Sequence, residues 1–261
     1  MPSGDVKTWI DIPFSGWTRS LQSSVPGASL TSLRSTVNSV FSRRRARKVR
    51  GREFPKRAMA STDLSKISVK ELKRSQLYSE ELDIELKRCN DAAYFEWFLA
   101  SLLFGGRISE GIAKKTYRAF ERHGLLAPEK ILAAGWEFLV NPIMSEGGYV
   151  RYDGRKSTQI LLDCKMLLDK HQGSLQDIHD TSRDKADLEA CFLSFYGVGP
   201  VTVNIFLREL RPYWRKADPM PLPIVHDMAK RLGVELDQFN RKTVTFTRIE
   251  AGLIRLKRQL T

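Results

Sequence analysis

Three observations in the sequence predict an all-helical fold. From Lys66 onward the apolar residues recur at helical spacing, few runs alternate as strands do, and glycine, proline and Asx signals cut the chain into helix-length segments. Ser68–Arg88 gives one or two amphipathic helices. Ala92–Phe104 (AAYFEWFLASLLF) is apolar on nearly every face, as a buried central helix must be, and Gly105-Gly106 breaks it. Ser109 offers an N-cap for a helix through Arg122 that stops near Gly124. Pro128–Val140 follows, with proline at its first turn. Gly147-Gly148 and Asp153-Gly154 mark turns, and a helix from Arg155 to Lys170 ends before Gly173. Leu188–Leu210 reads as helix, tight turn and helix, and Pro221–Leu232 and Thr245–Leu260 complete the set.

The chain has 261 residues and a formal net charge of +13, so a polyanionic partner is the first expectation. That charge is uneven: residues 1–58 carry +9, the remaining 203 only +4. Residues 12–52 hold no acidic side chain and end in an arginine run, and too little apolar surface is present for that segment to fold alone. We therefore divide the chain into a basic, disordered extension (1–65) and a helical domain (66–261). The extension reads equally as an organelle transit peptide, as a basic arm or nuclear address, or as residues preceding a true start at Met59. Cys89, Cys164 and Cys191 are far apart and fit no metal-ligand spacing. All three are expected to be buried, inert thiols in a reducing compartment, cytoplasm, nucleoid or nucleus. No stretch approaches the roughly 20 apolar residues of a membrane span, so no membrane partner is expected, and a monomer is.

Chemistry concentrates in Leu188–Leu210. Between its two helical patterns stands Gly197-Val198-Gly199-Pro200. The glycines permit positive φ and close backbone approach, and Pro200 suits the first turn of the second helix. The turn presents backbone N–H groups and a positive helix end to a phosphate, while Val198 can pin the helices together. Such contacts hold DNA without reading its sequence. Thr202, in the first turn, belongs to the same candidate surface. An ordinary helical hairpin is the competing reading.

Phe95–Lys114, Arg155–Gly173 and Leu188–Leu210, in that order and spacing, resemble the HhH-GPD superfamily of DNA glycosylases and AP lyases, of which endonuclease III is the familiar member. The resemblance covers about Ala92 to Gly233. It implies a two-lobed helical fold that binds double-stranded DNA and flips a damaged or mismatched base into the cleft between lobes. It further implies hydrolysis of the N-glycosidic bond, assisted by an aspartate shortly after the hairpin. Asp218 stands at about that distance and is the first choice, with Asp227 the alternative. The spacing from Asp218 to Arg231-Leu232-Gly233 is several residues longer than the family's usual pattern. Asp218 beside its prolines also reads as a helix cap, worth on the order of 1 kcal/mol.

Lyases of the family carry a lysine one residue after the position of Pro200, where this chain has Val201. The resemblance thus implies a monofunctional glycosylase, a lyase using another lysine, or a DNA-binding protein without catalysis. Lys216 is the nearest lysine by sequence, and phosphate binding is its other role. No cofactor is expected: three scattered cysteines cannot hold the family's iron-sulfur cluster, and a monovalent cation at the hairpin is left open. Arg107 falls in the loop from which relatives insert a side chain into the gap left by the flipped base. Among the aromatics, Trp97 reads as core, whereas Tyr149 and Tyr152, in a glycine-flanked loop, are candidates for the base pocket.

Overall fold

A computed structural model describes residues 68–260, so the readings of the basic extension, of Met59 and of the 1–65 boundary lie outside the described residues. Among the described residues every regular element is helical. In chain order these are α1 (Val69–Leu72), α2 (Tyr78–Glu81), α3 (Asp91–Phe104), α4 (Glu110–Arg122), α5 (Pro128–Phe138), α6 (Ser145–Gly147), α7 (Asp153–His171), α8 (Leu175–Thr181), α9 (Lys185–Leu193), α10 (Pro200–Leu210), α11 (Pro223–Leu232) and α12 (Val244–Gln259). None of them is long and apolar enough to cross a membrane.

Helix α3 is the axis of the larger core. Asn90 caps it by accepting from Ala93 N, and its residues from Ala93 to Leu103, Glu96 excepted, are buried. A helix apolar all round needs neighbours on every side, and α4, α8 and α10 supply them. Trp97 is fully buried, and its Nε1 donates to Phe206 O at 3.1 Å, tying α3 to α10. Phe98 meets Phe195, Phe206 and Phe192 with ring centroids 5.2, 5.3 and 5.9 Å apart. Such aromatic pairs each add about 0.5–1.5 kcal/mol beyond area burial.

A second, separate core gathers Leu72 of α1, Val225 and Met228 of α11, and Phe246, Ile249 and Leu253 of α12. An ionic joint connects it to the first: Arg211, just past α10, pairs with Glu250 of α12, both buried. Within the first core, Glu209 of α10 is fully buried and accepts from Tyr78 N and Ser79 N, 3.0 Å each, tying the start of α2 to α10.

The element boundaries differ from expectation at identifiable places. The 68–88 segment folds as two single turns, α1 and α2, and a short 3₁₀ turn at Leu86–Arg88. Helix α5 leaves helical geometry at Gly135 (φ 76°), which shortens the expected 128–140 element. Helix α8 is an addition to the expected set; Ser174 caps it by accepting from Asp177 N. The cysteine expectation needs correction. Cys164 is buried and Cys191 partly so, and burial raises both thiols, but Cys89 is exposed. Cys89 ends the Leu86–Arg88 turn in the left-handed region, φ 49°, on the surface side.

Candidate nucleic-acid interface

The hairpin has the predicted local form. Helix α9 starts at Asp184, whose side chain accepts from Asp187 N, and α10 starts with Pro200 at its first position. Gly197 takes φ 68°, and a Cβ there would fall 2.2 Å from Gln159 Nε2. The backbone angle is what favours glycine here, since the Gln159 amide is the end of a flexible side chain that can move aside. Val198 is buried and pins the turn, whereas Tyr196 and Val201 are exposed on either side of it. The first-turn amides of Val201 and Thr202 have no acceptor within α10 itself. Thr202 departs from its expected role. Its side chain is buried against Gly105 at the end of α3, so it joins helices rather than facing a ligand.

What holds the hairpin from behind is Asp163 of α7. Its Oδ1 accepts from Tyr196 N at 2.6 Å, and its Oδ2 has no partner. Burial pushes this carboxyl up to about 8, against the lowering effects of the Tyr196 amide and Lys156. An unfolded carboxyl ionises near its ordinary value of 3.8, so between those pH values the folded state keeps a proton that the unfolded chain releases. The stability this proton brings is complete below about pH 4 and is lost as the pH rises through about 8. Asp163→Asn keeps the acceptor for Tyr196 and removes the titration. Urea unfolding midpoints of this variant should therefore fall less with pH than those of the parent protein. Parallel pH profiles would contradict the buried, neutral carboxyl.

Beside the hairpin lies a cleft of about 420 Å³ lined by Gly105, Gly106, Arg107, Tyr149, Tyr152, Arg155, Lys156, Gln159 and Gly197. Three elements and a loop converge here: the end of α3, the 147–152 loop, the first turns of α7, and the hairpin. The predicted Arg107, Tyr149, Tyr152 and Gly197 are thus brought together. Arg107 is exposed at the mouth. Tyr149 is buried in the wall, its hydroxyl near Gly106, and burial raises its ionisation. Tyr152 is exposed and held at φ 64°, an unusual conformation for a bulky residue, with the Arg151 guanidinium 5.0 Å over its ring.

Arg155, Lys156 and Gln159 carry no signal in the sequence that marks them as site residues. They lie in the first turns of α7 at the cleft, where Lys156 reaches the end of α3 and Gln159 lies against Gly197 of the hairpin. Lys156 is buried, and its Nζ donates to Leu102 O at 3.2 Å, among the terminal carbonyls of α3. Desolvation is the largest influence on this amine and lowers its pKa; Arg155 acts in the same direction and Asp163 opposes it.

Asp218 and Lys216 stand elsewhere. They line a separate groove with Arg183, Asp184, Lys185, Arg215 and Lys242. Asp218 Oδ1 lies 2.8 Å from Arg241 Nη2 and 3.3 Å from Arg211 Nε. It does not cap α11, whose N-cap position is Leu222, four residues on. The cap reading is corrected: two arginines claim this carboxylate before α11 begins. Asp227 lies inside α11 and is exposed. Lys216 Nζ donates to His179 O and Asp180 O at 2.7 and 2.9 Å, closing the end of α8 rather than standing free for phosphate. No protein-family model matches this sequence, and no curated protein matches it.

Proposed function

We propose that this chain is a base-excision DNA-repair protein that grips duplex DNA through the Gly197–Pro200 hairpin and takes an extruded nucleotide into the adjoining cleft. The observation that carries the reading is the juxtaposition of hairpin and cleft: Gly197 belongs to both. Phosphate is attracted by the amide-bearing start of α10 and by Arg107 and Arg155, while the exposed Tyr152 offers ring surface to a base and Tyr149 forms part of the wall beside it. Base–aromatic stacking is worth about 1–3 kcal/mol per base. Extrusion from the stack costs a few kcal/mol, least for a damaged or mismatched base, so the preferred DNA carries a lesion.

Glycosylase hydrolysis comes from the sequence resemblance, and the carboxylate assigned to it, Asp218, is engaged with Arg211 and Arg241 in another groove. That placement favours a second reading, a DNA-binding protein that keeps the fold and does not excise. Duplexes bearing uracil, alkylated or oxidised bases, incubated with the protein and then treated with alkali, separate the two. Strand breaks that require alkali support excision. Tight lesion-duplex binding with no breaks supports the second reading, and failure to bind any duplex contradicts both.

A further inference from the structure

Resting on the proposed binding of duplex DNA, we infer that the basic groove at the start of α9 is a second phosphate-binding surface, onto which the duplex gripped by the hairpin continues. Five cations and two carboxylates line this groove of about 360 Å³. Residues 59–261 together carry only +4, so the concentration of positive charge is local. Both carboxylates are already engaged. Asp184 caps α9, accepting from Asp187 N at 2.9 Å, and Asp218 is matched by Arg211 and Arg241, which are not among the five. Lys216 and Lys242 hold backbone carbonyls, which fixes their amines but leaves their charges unneutralised. Arg215 is exposed, and among the described residues no carboxylate pairs with it. Desolvation first, then Arg211, Arg241 and Lys185, hold the Lys242 amine below its ordinary value, with Asp218 opposing them. An anion seated among these cations relieves their repulsion.

The groove opens on the same side of α9 as the hairpin. Lys185, Glu189 and Leu193 follow one another at four-residue spacing and so share one face of the helix. Lys185 lines the basic groove, whereas Glu189 and Leu193 line the neighbouring one together with Pro200 of the hairpin and Pro219. Pro219 directly follows Asp218, so the two grooves also adjoin along the segment after α10. Glu189 is the one carboxylate lining the intermediate groove, and Lys185 faces it at 3.8 Å. The nine residues of α9, rising about 1.5 Å each, set the basic groove some ~13 Å from the hairpin. B-DNA carries a phosphate per ~3.4 Å of axis on each strand, so this distance corresponds to about four nucleotides. A line of positive charge that begins at the hairpin and resumes four nucleotides on fits a continuous backbone better than a single free anion.

The test is a salt titration of duplex affinity, with the full-length protein and its Lys185→Gln, Arg215→Gln variant, on an intact duplex and on one carrying a single abasic site. Neither side chain holds a backbone carbonyl, so the unfolding midpoint of the variant should match that of the parent protein. Affinity should fall for both duplexes alike. The slope of log affinity against log salt should become shallower by about two, one for each phosphate no longer neutralised. The ratio of abasic to intact affinity should keep its parent value, because the cleft is untouched. If the double variant unfolds more readily, Arg215→Gln alone should still shift the slope by about one. A parent-like salt slope in a folded variant overturns the inference and leaves the proposed function standing. Loss of the abasic preference also overturns it, since the groove would then act through the cleft rather than as a separate backbone contact. Failure of the parent protein to bind any duplex defeats both.

Discussion

Arg211→Met should lower the unfolding free energy by about 3–5 kcal/mol, the cost typical of removing one partner from a buried ion pair. Arg211 is buried where the two cores meet and holds four groups. Its Nη1 donates to Glu250, its Nη2 donates to Pro219 O at 2.6 Å, its Nε stands 3.3 Å from Asp218, and its guanidinium lies 5.2 Å over the Phe246 ring. Methionine can fill much of the volume and keep contact with Phe246. It leaves the Glu250 carboxylate buried without its cation, and that is the larger loss. Replacing both partners, Arg211→Met with Glu250→Met, should recover a substantial part of the stability, because a matched apolar pair avoids desolvating two charges. Urea unfolding of the two variants measures the difference. A double variant as unstable as the single one would contradict an electrostatic origin. Asp218 keeps Arg241 in both, so the 211–222 segment should stay attached at that end.

Gly147→Ala should cost about 3 kcal/mol, the upper end of the range for inserting a methyl into a tight contact, and should weaken duplex binding with it. A Cβ at Gly147 would fall 2.1 Å from Thr116 Oγ1 and 2.5 Å from Thr116 Cα. The hydroxyl could rotate away, but the α4 backbone cannot, so the loop itself must move. Two residues on is Tyr149, part of the cleft wall, and displacement of the loop carries that ring away from Gly106. The paired readout is a lowered unfolding midpoint and a weaker affinity for lesion-bearing duplex. Parent-like binding at a reduced midpoint would detach the loop from the proposed site.

The parts of this molecule visible in its sequence are those encoded locally. Ala92–Phe104 announces a buried helix because no polar stripe interrupts it, and α3 is buried on all but a few positions. Gly197-Val198-Gly199-Pro200 announces its turn because glycine tolerates φ 68° readily there and proline favours the next helix start. Helix α8 is hard to see because its seven residues, only two of them apolar, make too short a pattern to stand out beside Gln172-Gly173-Ser174. The site was half legible. Arg107, Tyr149 and Tyr152 follow from loops flanked by glycine, and the fold brings them to one cleft with Gly197. Lys156 is one of many lysines in the chain until its Nζ is seen to reach Leu102 O at the end of α3. Asp218 shows the converse. Its distance from the hairpin suggests a catalytic place, but its partner Arg241 lies 23 residues downstream, and no local pattern links the two.

Fluorescence anisotropy with two duplexes, one intact and one carrying a single abasic site, tests the central claim most directly, measured on the parent protein and on an Arg107→Ala, Arg155→Ala variant. The cleft account predicts tighter binding of the abasic duplex by the parent protein. In the variant that preference should shrink, and the dependence of log affinity on log salt should become shallower by about one for each phosphate no longer neutralised. Equal affinity for the two duplexes, with the same salt dependence in parent and variant, would contradict a nucleotide-binding role for the cleft beside the hairpin.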